Sequence, residues 1–134
     1  MYISMKILVS IWVLCLPLAA CEDNLNDRIE LRYQQVYNNE DYAFSLKVDT
    51  VLNDSRCPEN ARCVWEGDAG VLFDVVFNDS RHYKFTLHTN TTFKTDTTVE
   101  NIKFTLLELQ PYPMLNEIIE PEDYVVKVLM EKTI

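Results

Sequence analysis

The sequence predicts an all-β domain, a small antiparallel β-barrel with a β-sandwich as the alternative. Apolar and polar residues alternate with period two in segment after segment, the pattern of strands with one buried face. Between these segments stand NNED, NDSR and TNTTFKTDTT, which are turn and loop compositions. The 134 residues allow one domain with one modest core, which excludes a multi-domain enzyme.

At the N-terminus, Lys6 precedes an apolar run from Ile7 to Leu18, followed by Ala19-Ala20-Cys21. At ~1.5 Å per residue this run extends roughly 18 Å, short of a hydrocarbon core of about 30 Å, so it reads as a signal h-region. Small residues directly before a cysteine resemble the bacterial lipoprotein signal. That resemblance implies a signal peptide over 1–20, removed before Cys21, and palmitate-class acyl chains on Cys21 as the membrane anchor. Residues 21–27 then form the lipidated cysteine and a flexible tether, and 28–134 the single β domain. Acidic residues directly after the cysteine also resemble a signal for the outer face of the outer membrane.

Loss of Lys6 leaves 11 basic residues against 21 acidic ones. Nucleic acid is therefore excluded as a partner, because phosphate binding needs clustered cations. The acidity keeps a surface-tethered protein soluble.

The strands follow in order. Ile29, Leu31 and Tyr33 alternate with Arg28, Glu30 and Arg32, and Phe44, Leu46 and Val48 alternate with Ser45, Lys47 and Asp49. Val71, Phe73, Val75 and Phe77 share one face; Tyr83, Phe85 and Leu87 stand opposite His82, Lys84, Thr86 and His88. Ile102 to Leu109 and Tyr124 to Met130 complete about six strands. Leu115 to Ile119 suggests one helical turn, cut short by Pro121. Strands this short must close or stack to hide their edges, and a barrel similar to an OB-fold does so.

The stretch DSRCPENARCVWEGDAG, residues 54–70, holds both glycines and the two cysteines that remain once Cys21 carries lipid. In an oxidising compartment Cys57 and Cys63 read as a disulfide, since zinc needs four ligands and no second Cys or His pair stands nearby. Closing so small a loop stabilises by roughly 2 to 2.5 kcal/mol on the chain-entropy model, so rigidity is its larger effect. Trp65, two residues after Cys63, is expected in the core beside the disulfide, and Gly67 and Gly70 are expected to bend the strand.

Enzymatic signatures are absent from the sequence. His82 and His88 fall on one strand about 20 Å apart, too far to share a metal, and are expected on its solvated face. There is no phosphate-cradling glycine loop, no G-x-S-x-G and no H-E-x-x-H. No cofactor, catalytic residue or metal site is expected.

Ser55-Arg56-Cys57-Pro58, Cys63-Val64-Trp65 with Gly67, Leu109-Gln110-Pro111-Tyr112-Pro113 and Asp123-Tyr124 together resemble a family of small exported bacterial proteins, many of them lipoproteins. Some of these are similar to the potempins, cell-surface inhibitors of proteases, above all zinc metalloproteases, described as OB-like barrels. The resemblance implies inhibition of a secreted protease, a metalloprotease first and a serine protease second, by the braced loop Ser55, Arg56, Cys57, Pro58, Glu59, Asn60, Ala61 and Arg62. Tissue inhibitors of metalloproteases reach zinc with the free amine of an N-terminal cysteine. Here the amine of Cys21 is expected to be acylated, so a zinc contact implies another donor, the Ser55 hydroxyl or a carbonyl beside Cys57. Against a serine protease, Arg56 or Arg62 is the expected specificity residue. The alternative is a structural or ligand-binding envelope lipoprotein whose clamp only staples the fold.

Overall fold

Alternation in the sequence becomes pairing in the fold. The computed structural model describes residues 24–78 and 80–134; the expected signal peptide, Cys21 and the first residues of the tether lie outside the described residues. Eight strands follow in chain order: β1 Asn26–Arg32, β2 Val36–Asn39, β3 Phe44–Leu52, β4 Gly70–Phe77, β5 His82–His88, β6 Asp96–Val99, β7 Ile102–Gln110 and β8 Val125–Lys132. They form two antiparallel four-stranded sheets, β1-β8-β7-β6 and β2-β3-β4-β5.

The all-β class is therefore as the sequence predicts, but the sheets are not closed into a barrel. Among the described residues no ladder joins β1 to β2 or β5 to β6. Between β1 and β2 the chain turns, the Gln35 N–H donating to the Arg32 carbonyl at 3.0 Å, and meets β3 through the isolated bridge Tyr33–Val48 and a 3.1 Å bond from the Gln34 N–H to the Val48 carbonyl. Between β5 and β6 it loops out over residues 89–95. A sandwich-like arrangement, the alternative to the barrel, fits these two sheets.

Two strands escape the alternation rule. β2 is VYNN and β6 is DTTV, four residues each, and both lie at sheet edges. Short polar strands blunt an edge against further pairing, and their composition reads as turn. The domain also starts earlier than residue 28. Leu25 is buried, its carbonyl accepts the Lys132 N–H at 3.2 Å, and β1 begins at Asn26, so part of the expected tether is paired structure. No helix forms over Leu115 to Ile119; a turn there has the Glu117 N–H bonded to the Met114 carbonyl, and Pro121 opens a single 3-10 turn, Pro121–Asp123.

The core lies between the sheets. Phe44, Leu46 and Val48 of β3 and Val71, Phe73, Val75 and Phe77 of β4 face Phe104, Leu106 and Leu109 of β7 and Val126, Val128 and Met130 of β8. In β7 the phase changes at a bulge between Leu106 and Glu108, which leaves Leu107 exposed and returns Leu109 to the core. Phe104 joins the layers, edge-on to Phe44 at 5.8 Å and tilted against Phe85 at 5.4 Å. Removing it leaves a cavity on both sheets at once. We expect Phe104→Ala to cost about 3 to 5 kcal/mol of unfolding free energy, read from the midpoint of a urea titration at unchanged slope.

The antiparallel order sorts the connections. The connections from β2 to β3, β4 to β5 and β6 to β7 lie at one end, together with the start of β1, because Asn26 pairs with Glu131 and Arg32 with Val125. The long loops 53–69, 89–95 and 111–124 gather at the other end.

Candidate functional site

The first of those loops holds the clamp. Cys57 and Cys63 form a disulfide with Cα atoms 5.9 Å apart. Inside the ring the Ala61 N–H bonds to the Pro58 carbonyl at 3.0 Å, a turn set by the proline. The ring rests on loop 111–124: the Glu59 N–H donates to the Pro113 carbonyl at 3.0 Å, and the Asn60 Oδ1 accepts the Leu115 N–H at 2.8 Å.

Below the ring the two arms of the loop are bonded to each other. The Ser55 N–H donates to the Asp68 carbonyl at 2.7 Å, and the Ser55 hydroxyl donates to that carbonyl at 2.9 Å and accepts the Asp68 N–H at 3.1 Å. Gly67 has φ of 72°, and a Cβ there would stand 2.0 Å from the Ser55 carbonyl oxygen. Only glycine permits that approach. Gly67 thus turns the chain within a loop rather than in the strand expected, and Gly70 begins β4.

Arg56 is the hub. Its Nε and Nη2 donate to the two carboxylate oxygens of Asp54 at 2.8 and 2.7 Å. Its Nη1 reaches the Leu109 carbonyl at 2.6 Å and its Nη2 the Pro111 carbonyl at 2.8 Å. The guanidinium lies over the Tyr112 ring, 4.5 Å from its centroid. Asp54 also accepts the Tyr124 hydroxyl at 2.9 Å, from the start of β8. Burial works against charge on Asp54, but the Arg56 bonds and charge, with the Tyr124 hydroxyl, outweigh it and hold the carboxyl below its usual range. Burial, then the bond to Asp54, pushes Tyr124 up to about 12.

A second cluster ties in loop 89–95. The Asp68 carboxylate meets the His88 Nδ1 at 2.6 Å and accepts the Asn90 N–H at 3.0 Å, while the Asn90 side-chain amide donates to the Gly67 carbonyl at 2.9 Å. Burial opposes charge on Asp68; the bonds from His88 and Asn90 prevail and lower its pKa. His88 is therefore a bonded member of the loop end rather than the solvated side chain expected. His82, at the other end of β5, is exposed.

Arg56 is only 6% exposed, so it cannot be the specificity residue that the sequence suggests. The Ser55 hydroxyl is engaged on both sides by the backbone of Asp68 and is no free zinc donor. Trp65 does not pack in the core: residues 53–69 form no strand, so Cys63 and Trp65 share no strand face, and the indole is 65% exposed. Of the expected loop, Glu59, Asn60 and Arg62 face solvent and Cys57, Pro58 and Ala61 are half-buried. Sequence reasoning missed the company Trp65 keeps. Val64 is 94% exposed, and Phe93, Leu115 and Ile118 are also exposed on the three loops. A shallow depression of about 430 Å³ lies between Trp65 and Phe93, lined by Asn53, Ser55, Glu66 and Asp68. Phe93, whose ring is tilted against that of His88 with centroids 5.1 Å apart, forms one side of it.

Arg56→Ala strands a buried carboxylate and frees two carbonyls, so we expect a loss of about 3 to 5 kcal/mol, with rapid hydrogen exchange in loops 53–69 and 111–124. The Asp54–Tyr124 pair also sets pH limits. Asp54 has a lowered folded pKa, so its contribution is complete above an unfolded value near 3.9 and is lost as pH falls through the folded one. Tyr124 has a raised one, so its contribution is complete below about 10 and is lost as pH rises towards about 12. Melting scans should show that Tyr124→Phe removes part of the stability loss between these alkaline values and leaves the neutral-pH slope unchanged. No family model matches the sequence, and no curated protein or solved structure matches it either.

Proposed function

We propose that this protein is a cell-surface lipoprotein that inhibits a secreted protease without catalysing any reaction, a zinc metalloprotease before a serine protease. The observation that carries the reading is the ring Cys57–Cys63, held rigid by its disulfide, its seat on loop 111–124 and the Arg56 hub, with Glu59, Asn60 and Arg62 left facing outward. A loop already frozen in its bound shape loses little entropy on docking, and after any cleavage the bridge holds both halves in place. The poles of the domain agree with an anchor at Cys21. The chain enters β1 at the end opposite the three loops, so an outer-membrane tether would direct them away from the bilayer. Barrel closure is not needed, since an OB-like barrel and two stacked sheets would present these loops equally well.

In this reading the ring enters the target's cleft, and the zinc contact falls to a backbone carbonyl near Cys57 or to the exposed Glu59. The serine-protease variant runs through Arg62 alone, because Arg56 is consumed inside the fold. The depression between Trp65 and Phe93 favours one second reading, a ligand-binding envelope lipoprotein.

The test is to titrate the detergent-solubilised full-length protein into purified secreted metalloproteases and serine proteases of the producing bacterium. We expect stoichiometric inhibition of at least one, abolished by deleting Pro58 to Ala61. Arg62→Ala should weaken inhibition by orders of magnitude only if the target is an arginine-specific serine protease. Full inhibition by the deletion variant would move the site elsewhere, and inhibition of none would end the reading.

A further inference from the structure

The loop end carries a surface that the braced ring does not account for. Val64, Trp65, Phe93, Leu115 and Ile118 stand exposed there, contributed by three separate loops. Scattered surface apolar residues need no explanation, but Trp65 and Phe93 border one depression, and exposed apolar residues sharing its pole favour an interaction site. Trp65 is the member best placed to act as an anchor. It stands two residues beyond the bridged Cys63 and two before Gly67, whose backbone is pinned under the Ser55 carbonyl, while the Cys57 N–H bonds to the Glu66 carbonyl at 3.4 Å. A tryptophan held on so stiff a support gains contact area with little loss of freedom, the property of residues that dominate interfaces.

The charge around it defines the partner. On the three loops Glu59, Glu66, Glu117, Glu120, Glu122 and Asp123 are exposed, against the exposed cations Arg62 and Lys94. A second copy of the chain would bring the same acidic ring against itself and is disfavoured. The depression offers a saccharide little, because the Ser55 hydroxyl and the Asp68 and Asn90 side chains that face it are already bonded within the protein.

We infer that Trp65 is the principal anchor of this surface and that it inserts into an apolar pocket of a partner protein whose rim is cationic. This rests on the inhibitor reading and names the chemistry of the target: the protease presents a basic margin around an apolar subsite beside its cleft. The ring occludes the cleft; Trp65 supplies most of the affinity, and the acidic loops speed encounter.

The experiment measures binding and inhibition of the same protease panel by full-length wild type, Trp65→Ala, the double variant Glu117→Lys/Glu120→Lys, and Val36→Ala as a control on the distant β2 edge. Trp65→Ala should weaken binding by about 30-fold or more, with unchanged melting temperature because the indole is exposed. The charge variant should slow association, and raising the salt concentration should slow wild type towards it, by about tenfold. Val36→Ala should match wild type. A protease bound equally well by Trp65→Ala overturns the inference and leaves the inhibitor reading standing. Binding that ignores both salt and the charge variant overturns the cationic rim. Trp65-dependent binding of an oligosaccharide on a glycan array, with no protease bound, overturns both the inference and the inhibitor reading.

Discussion

Two of the three long loops meet around one buried ion pair. Arg56 and Asp54 are almost fully enclosed, and a pair so placed must satisfy its remaining hydrogen-bonding groups or destabilise the fold. Here the guanidinium satisfies them with the carbonyls at the end of β7, and the carboxylate with a hydroxyl at the start of β8. Two loops that have no hydrophobic reason to meet are thereby fixed to each other. Lysine could not replace Arg56, because one ammonium cannot hold a bidentate carboxylate, reach two divergent carbonyls and lie flat on Tyr112 together.

The same economy of charge shapes the rest of the surface. On the sheets, lysines reach carboxylates on other strands, Lys84 of β5 across β4 to Asp49 of β3 at 2.9 Å and Lys127 of β8 to Glu108 of the adjacent β7 at 2.8 Å. Such exposed pairs contribute little stability, but they neutralise the flat faces. The excess of acid is left to the connections at both ends of the sheets, most of it on the three long loops.

Alternation made the long strands legible, since Val71 to Phe77 and Phe44 to Val48 bury the faces that period two assigns. It could not reveal β2 or β6, whose pairing comes from neighbours rather than composition, nor the bulge that re-phases Leu109. At the site the sequence suggested the reverse of what the fold does with Arg56 and Trp65. Arginine is usually exposed and tryptophan usually buried, yet the partners that bury Arg56 lie 53 and 55 residues away in the chain. The one local signal was Asp54, two residues before it, in reach of a forked contact. For Trp65 the bridge beside it suggested packing, but with no strand between Cys63 and Gly70 nothing carries the indole inward.

The pairing of β1 with β8 has a consequence for how the molecule assembles. The sheet β2-β3-β4-β5 is built from consecutive segments and can zip up hairpin by hairpin as the chain emerges, loop 53–69 being its one long connection. In the other sheet only β6, β7 and β8 can. Its outermost strand β1 comes first in the chain and its partner β8 last, so β1 must wait for almost the entire chain before it finds the register Asn26 to Glu131. A lipid anchor just ahead of β1 would shorten that search, by holding one end of the sheet at a fixed surface while the other arrives.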